Sequence, residues 1–336
     1  MSKVQLRNSF EEIVSVENLL QAWKEFEIGK KNRKDVQDFA VFLMDNIFSL
    51  HDQLIKHTYK HSGYQAFKIN DPKPRDIHKA SVCDRLLHHG LYRILYPYFD
   101  LKFIFDSYSC RLNKGTHKAL KRFKEFGRKV SKNNTKICWV LKCDIRKFFA
   151  NIDHEILLSI LREYIPDKKI LGLLENVIES FSAEKTGVGL PLGNLTSQLF
   201  VNIYMNEFDQ FAKHELKFKY YLRYADDFVF FSQDKKELEN LIPVVENFLQ
   251  NKLKLTLHPD KVFIKTLSAG VDFLGWVHFP HHRTLRTSTS RRMFRRLEKN
   301  AKNESLQSYL GMLKHGNAYK LSEKIKAYSD SMLLKL

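Results

Sequence analysis

Two runs of large apolar residues, Tyr220–Tyr224 and Phe228–Phe231, enclose two adjacent aspartates, Asp226 and Asp227. Strand-forming residues on both sides of a short polar centre predict a β-hairpin carrying two carboxylates at its tip. Neighbouring carboxylates repel, so such a tip favours a bound cation. Mg²⁺ suits one or two carboxylates plus phosphate oxygens. Carboxylates gathered around two metal ions can drive phosphoryl or nucleotidyl transfer. The plain alternative is an exposed turn whose aspartates are only solvated. The rest of the chain must decide.

A third carboxylate follows from a second pattern. Ile137–Cys143 is almost wholly apolar and ends in Asp144, as a buried strand does when it delivers an acidic residue to a sheet edge. Asn151 or Asp153 then caps a helix to about 163. Thr186–Asn194 is a Gly/Pro loop, followed by a helix over about 195–213. Beyond the hairpin the pattern predicts a helix over 235–252 and short strands near 254–257, 262–266 and 271–278. Upstream, residues 9–60 have helical periodicity around a basic loop at 29–35. Residues 61–82 read as extended, broken at Asp71–Pro74, with helices near 83–98 and 115–130. The tail, 288–333, reads as basic helices. The fold class is α+β.

Charge points to the partner. The 336 residues carry a formal net charge of +18, which favours a polyanion. The excess is concentrated in two segments, Lys114–Lys136 and Arg283–Lys302. Aromatic residues make up 13% of the chain and supply stacking surfaces as well as core. Neither basic segment reads as an extended basic helix with one strongly apolar face, so nucleic acid is favoured over an anionic membrane. With 43% hydrophobic residues the chain can build a core. It has no apolar run of membrane-spanning length and no signal-peptide core, so a cytoplasmic protein and no membrane partner are expected. Cys83, Cys110, Cys138 and Cys143 lack metal spacing and read as reduced and mostly buried. The pairs His88–His89 and His281–His282 read as surface or nucleic-acid-facing.

Several motifs together resemble reverse transcriptases. Asp144-Ile145-Arg146-Lys147-Phe148-Phe149 resembles their first catalytic motif and Tyr224-Ala225-Asp226-Asp227 their second. Arg75–Ala80 through Asp84-Arg85 resembles the fingers motif that handles incoming triphosphate. Leu257–Lys261 and Phe273–Trp276 resemble later palm motifs, the last being the primer grip. The likeness runs over about residues 15–325. Most reverse transcriptases carry Pro-Gln-Gly in the template-proximal loop. Here Gly189–Gln198 is similar to the enzymes of diversity-generating retroelements, among the group II intron-like bacterial reverse transcriptases, and so is Ser308–His315.

The resemblance implies a right-hand polymerase. Its parts are an N-terminal helical extension (1–60), fingers (61–135 with part of 160–190), a palm with an antiparallel sheet (136–280) and a helical basic thumb (281–336). It implies two Mg²⁺ ions, replaceable by Mn²⁺, on Asp144, Asp226, Asp227 and the Ile145 carbonyl, with Asp227 more peripheral. Arg75, Lys79, Arg85 and Lys261 are candidates for the dNTP phosphates, and Phe149 for the ring that excludes a 2′-hydroxyl. Leu192, Gly193 and Gln198 would face the template, with Leu192 where other families place glutamine. Phe273, Leu274 and Gly275 form the primer grip, and Arg291, Arg292, Arg295 and Arg296 the backbone contacts. The family copies a template-repeat RNA into cDNA with errors at template adenines, using dNTPs, a DNA or RNA primer and a small basic accessory protein, whose oligomeric state the resemblance leaves open. It is bacterial or phage-encoded. Two alternatives remain: a group II intron-derived or phage-defence reverse transcriptase, and a non-catalytic RNA-binding scaffold.

Overall fold

The computed structural model describes residues 5–70, 74–299 and 303–333. Asp71, Pro72, Lys73 and Lys302, which figure in the reading above, lie outside the described residues. Ser9 and Ser15 begin the chain's helices by accepting the amides of Glu12 and Asn18 at the starts of α1 (Phe10–Val14) and α2 (Val16–Phe26). The basic loop follows, then α3 (Lys34–Val41) and α4 (Leu43–Ile55). An antiparallel hairpin, β1 (Gln65–Ile69) and β2 (Arg75–Lys79), accounts for the extended stretch. Next come α5 (Val82–Asp100) and α6 (Thr116–Val130), both at their expected places. The first five helices share a core containing Leu19, Trp23, Ile47, Leu50 and Leu91.

The central sheet has the order β4-β5-β3-β6 and is antiparallel throughout. Its strands are β3 (Trp139–Asp144), β4 (Tyr221–Tyr224), β5 (Asp227–Ser232) and β6 (Phe263–Thr266). Successive side chains alternate between its faces. Leu141, Cys143, Tyr221, Phe228 and Phe230 enter the larger core, together with α7 (His154–Tyr164), α8 (Lys168–Glu179), α9 (Leu195–Gln210) and α10 (Lys235–Leu253). Val140, Leu222, Val229 and Phe231 enter a second core under α6. Burial on both faces is why these strands read as continuous apolar runs. Each fully buried phenylalanine contributes about 2 kcal/mol.

A second sheet covers the same face as α6. It consists of β7 (Val271–Phe273), β8 (Trp276–His278) and β9 (Arg283–Leu285), in that order. The tail then forms α11 (Thr287–Lys299), α12 (Asn303–Leu313) and α13 (Tyr319–Leu333). On α11, Met293 and Leu297 are buried one turn apart, while Arg291, Arg295 and Arg296 are exposed and Arg292 is half-buried.

Several expectations are corrected. Residues 254–257 are not a strand: Lys254 caps α10 in the left-handed region (φ 48°) and Leu257 makes only a single bridge to Ile145. The stretch 271–278 is two strands, because Leu274 and Gly275 both take positive φ (50° and 84°) and form a two-residue turn. Helix α8 and strand β9 were not anticipated. Nor is His88 a surface residue: it is 1% exposed and its Nε2 lies 3.1 Å from that of His61. Burial pushes its pKa down to about 3. Cys110 is exposed rather than buried, and all four cysteines are free.

Candidate active site

Asp144 ends β3 directly opposite Asp227, which begins β5. Asp226 occupies the intervening turn, and its carbonyl accepts the Ile145 amide at 3.3 Å. The three carboxylates predicted from separate motifs therefore meet at one end of one sheet. By strand alternation Asp144 and Asp227 face the same way as Val140 and Val229, toward the side that carries α6 and the second sheet.

The turn is held from behind. Ala225 has φ 55°, a left-handed conformation that costs a non-glycine residue about 1 kcal/mol. The Arg223 guanidinium donates to the Ala225 carbonyl at 3.1 Å and forks onto both oxygens of Asp209 at 2.8 and 2.7 Å. Neither Arg223 nor Asp209 reaches solvent. Tyr221 donates to Asp209 at 2.7 Å. On the other face, the Tyr224 hydroxyl lies 3.0 Å from Thr116 Oγ1 at the start of α6.

Two lysines balance part of the acidity. Lys261 Nζ contacts Asp144 Oδ1 at 2.7 Å. Lys142, buried on β3 two residues before Asp144, places Nζ 3.1 Å from Asp227 Oδ1. That is ion-pair distance without hydrogen-bond alignment, and Asp227 Oδ1 is buried with no hydrogen bond. The remaining repulsion shows in acidity. Burial, then the charges of Asp227 and Asp144, push Asp226 up to about 6. Burial also raises Asp227, against the pull of Lys142.

Among the described residues no three His, Cys, Asp or Glu side chains form a ready-made metal cage. The donor set nevertheless suits a hard divalent cation. It is all carboxylate, one oxygen is buried without a hydrogen bond, and three acids face two ammonium groups.

The triphosphate candidates are only partly gathered. Lys79 Nζ and Arg85 Nη2 converge on one oxygen of Asp35, at 2.7 and 2.5 Å. Arg75 is exposed at the start of β2. Lys261 sits on Asp144 instead of standing apart from the carboxylates. The template-loop candidates dock on the fingers hairpin: the Leu192 carbonyl accepts the His78 amide at 3.1 Å, and Asn194 Nδ2 donates to the His78 carbonyl at 3.0 Å. Gly193 has φ 106°, and a Cβ there would lie 3.0 Å from Ile77. The Leu190 amide bonds the Phe149 carbonyl at 2.8 Å. One continuous backbone path thus links β2, Leu192 and half-buried Phe149 to the turn after Asp144. Gln198 is half-buried on the first turn of α9.

Phe273 is fully buried, stacked on Phe123 at 5.2 Å, so its ring belongs to the core. The Leu274–Gly275 turn is half-buried, and its Gly275 carbonyl accepts the Arg286 amide at 3.1 Å. Part of the basic segment is likewise committed to structure: Arg122 pairs with Asp106, and Lys114 lies 3.6 Å from the Phe105 ring.

Residues 55–278 match the family described as reverse transcriptase (RNA-dependent DNA polymerase). The chain belongs to the reverse transcriptase family. Among curated proteins it is 26% identical over 267 residues to Protein YkfC of Escherichia coli, covering 67% of this chain and 69% of that one. It is 25% identical over 278 residues to the group II intron-encoded protein LtrA of Lactococcus lactis, covering 62% of this chain. The chain spans only 45% of LtrA's length. Of solved structures, telomerase from Candida albicans superposes with a TM-score of 0.51 at 11% identity, over 76% of this chain and 54% of that one. At that identity the likeness concerns the fold, a right-hand polymerase of helices and antiparallel sheet. Among the described residues no helix of this reverse transcriptase is long and apolar enough to cross a membrane.

Sequence reasoning missed Asp35, Lys142, Asp209 and Arg223. Lys142 had a usable signal: it is the one charged residue within an apolar strand and shares Asp144's face by parity.

Proposed function

We propose that the chain is an RNA-directed DNA polymerase that adds dNTPs to a primer at Asp144, Asp226 and Asp227. The cross-strand meeting of Asp144 with Asp227, beside an Asp226 whose pKa is raised, carries this reading. Asp144, Asp226 and the Ile145 carbonyl would hold Mg²⁺ or Mn²⁺, with Asp227 more peripheral. Bound there, two such ions would acidify the primer 3′-hydroxyl and offset the charge of the triphosphate and its leaving group. Lys142 and Lys261 keep Asp227 and Asp144 oriented. Arg75, Lys79 and Arg85 are the phosphate ligands on the fingers, Arg suiting bidentate contact and Lys a point charge. Phe149 lies under the sugar. The extension, fingers, palm and thumb are assigned as 1–60, 61–135 with part of 160–190, 136–280 and 281–336. The exposed arginines of α11 hold the template–primer backbone, so binding weakens steeply with salt.

We further propose the diversity-generating subtype, with a template-repeat RNA, an accessory basic protein and errors at template adenines. Leu192 supports it: an apolar side chain constrains the templating pair less than a hydrogen-bonding one. The similarity to a group II intron-encoded protein favours the second reading, a group II intron-derived reverse transcriptase. Sequencing cDNA made on a defined RNA, with and without the accessory protein, separates them. Substitutions concentrated at template adenines support the first; evenly spread, infrequent errors support the second.

A further inference from the structure

A cavity of about 560 Å³ lies where α6, the loop between β8 and β9, and the loop between α12 and α13 come together. None of the catalytic carboxylates lines it, and no lining residue is acidic. Its rim is cationic: Lys121 and Lys124 on α6, Arg283 on β9 and Lys314 after α12. Its floor is aromatic. Phe123 lies 4.3 Å from the His278 ring, and Phe279 stacks on His282 at 4.8 Å.

Two observations show a built site. His278 is 3% exposed, its ring is part of the cavity wall, and its Nε2 is buried without a hydrogen-bond partner. A buried polar atom left unpaired is costly, and because it is shielded from the cavity itself the ring must turn before a ligand can reach it. The far lip is fixed by close packing. Gly316 lies so tightly against Trp276 that a Cβ would come within 2.0 Å of the ring, and the Asn317 amide bonds the Arg283 carbonyl at 2.8 Å.

We propose that this cavity binds one nucleotide unit, its phosphate on the Lys121–Lys124–Lys314 rim and its base against Phe279 and His278. The volume is that of a small-molecule site and exceeds what a bare phosphate needs. Cations beside aromatic rings are the combination that holds single-stranded nucleic acid. The unit comes either from a strand passing outside the catalytic cleft or from a free nucleotide. The connection to chemistry is short: His117, on the cavity wall and 3.9 Å from the His315 ring, directly follows Thr116, which contacts Tyr224 of the catalytic hairpin.

The test measures binding of labelled single-stranded RNA and DNA oligonucleotides to the full chain by fluorescence anisotropy, with AMP and inorganic phosphate as competitors. Lys121→Gln/Lys124→Gln/Lys314→Gln changes only exposed side chains. It should weaken binding about tenfold and lower the salt slope by about 2–3. Phe279→Ser should weaken binding without changing the slope. Cross-linking of a 4-thiouridine RNA to the segments around 279–283 or 314–317 identifies a strand as the source. Competition by AMP without such a cross-link identifies a free nucleotide. The proposal is overturned if the triple variant binds like wild type, or if inorganic phosphate competes as well as AMP. A chain that extends no primer yet shows these binding changes would contradict the polymerase reading and leave the cavity assignment standing.

Discussion

Arg223 and Asp209 form a forked ion pair with no exposure on either side chain, and the same guanidinium holds the carbonyl of Ala225 beside the catalytic aspartates. The pair connects the long helix α9 to the hairpin tip. Removing one partner strands a buried charge. Arg223→Met should therefore destabilise the protein by about 3–5 kcal/mol, read from the urea midpoint. Arg223→Lys keeps the charge but cannot reproduce the fork, and should recover less than half of the loss.

Asp226 links pH to stability. Its carboxyl is raised to about 6 by burial and by Asp227 and Asp144, against about 3.9 in an unfolded chain. A raised acid costs stability once ionised. The cost is absent below about pH 4, grows as pH rises, and is complete above about 6. Asp226→Asn should therefore raise the melting temperature at pH 7.5 in EDTA, by the equivalent of about 1–3 kcal/mol, with little gain at pH 4. Mg²⁺ should stabilise wild type more than the variant. Equal melting of both proteins in EDTA at pH 7.5 would count against the crowded-carboxylate account.

Asp35 holds Lys79 and Arg85 where triphosphate oxygens are expected. An incoming dNTP must compete with this internal carboxylate. Asp35→Asn should lower KM for dNTP several-fold, about 1 kcal/mol, and leave kcat little changed, as steady-state primer extension would show. A rise in KM would mean that Asp35 positions the cations instead of competing for them.

Leu192 lies in the loop docked on His78. Leu192→Gln should reduce misincorporation at template adenines, measured by sequencing products from a defined RNA. An unchanged adenine error rate would remove this side chain from the explanation of fidelity.

The three aspartates were legible because each sits at the end of an apolar run whose period and length mark a strand. Which face each side chain takes was not, because the run is apolar at every position: Phe228 and Phe230 enter one core, Val229 and Phe231 the other. Nor was the pairing of Asp144 with Asp227, since strand order is a non-local property. Arg223 drew no role from the sequence because its partner Asp209 lies on another element. Asp35 stood in a basic loop where one acid drew no notice. The β7–β8 turn was hidden because Leu274 takes a conformation usually left to glycine or asparagine. The burial of His88 depends on His61 and the shell around Asp84, which composition cannot show.

The most direct measurement is primer extension on a defined RNA template with Mg²⁺, comparing wild type with Asp144→Asn and with Asp226→Asn/Asp227→Asn. Wild type should incorporate dNTPs, and both variants should lose extension while still binding the template–primer duplex. Extension by the variants at the wild-type rate, or none by wild type, would contradict catalysis at these carboxylates.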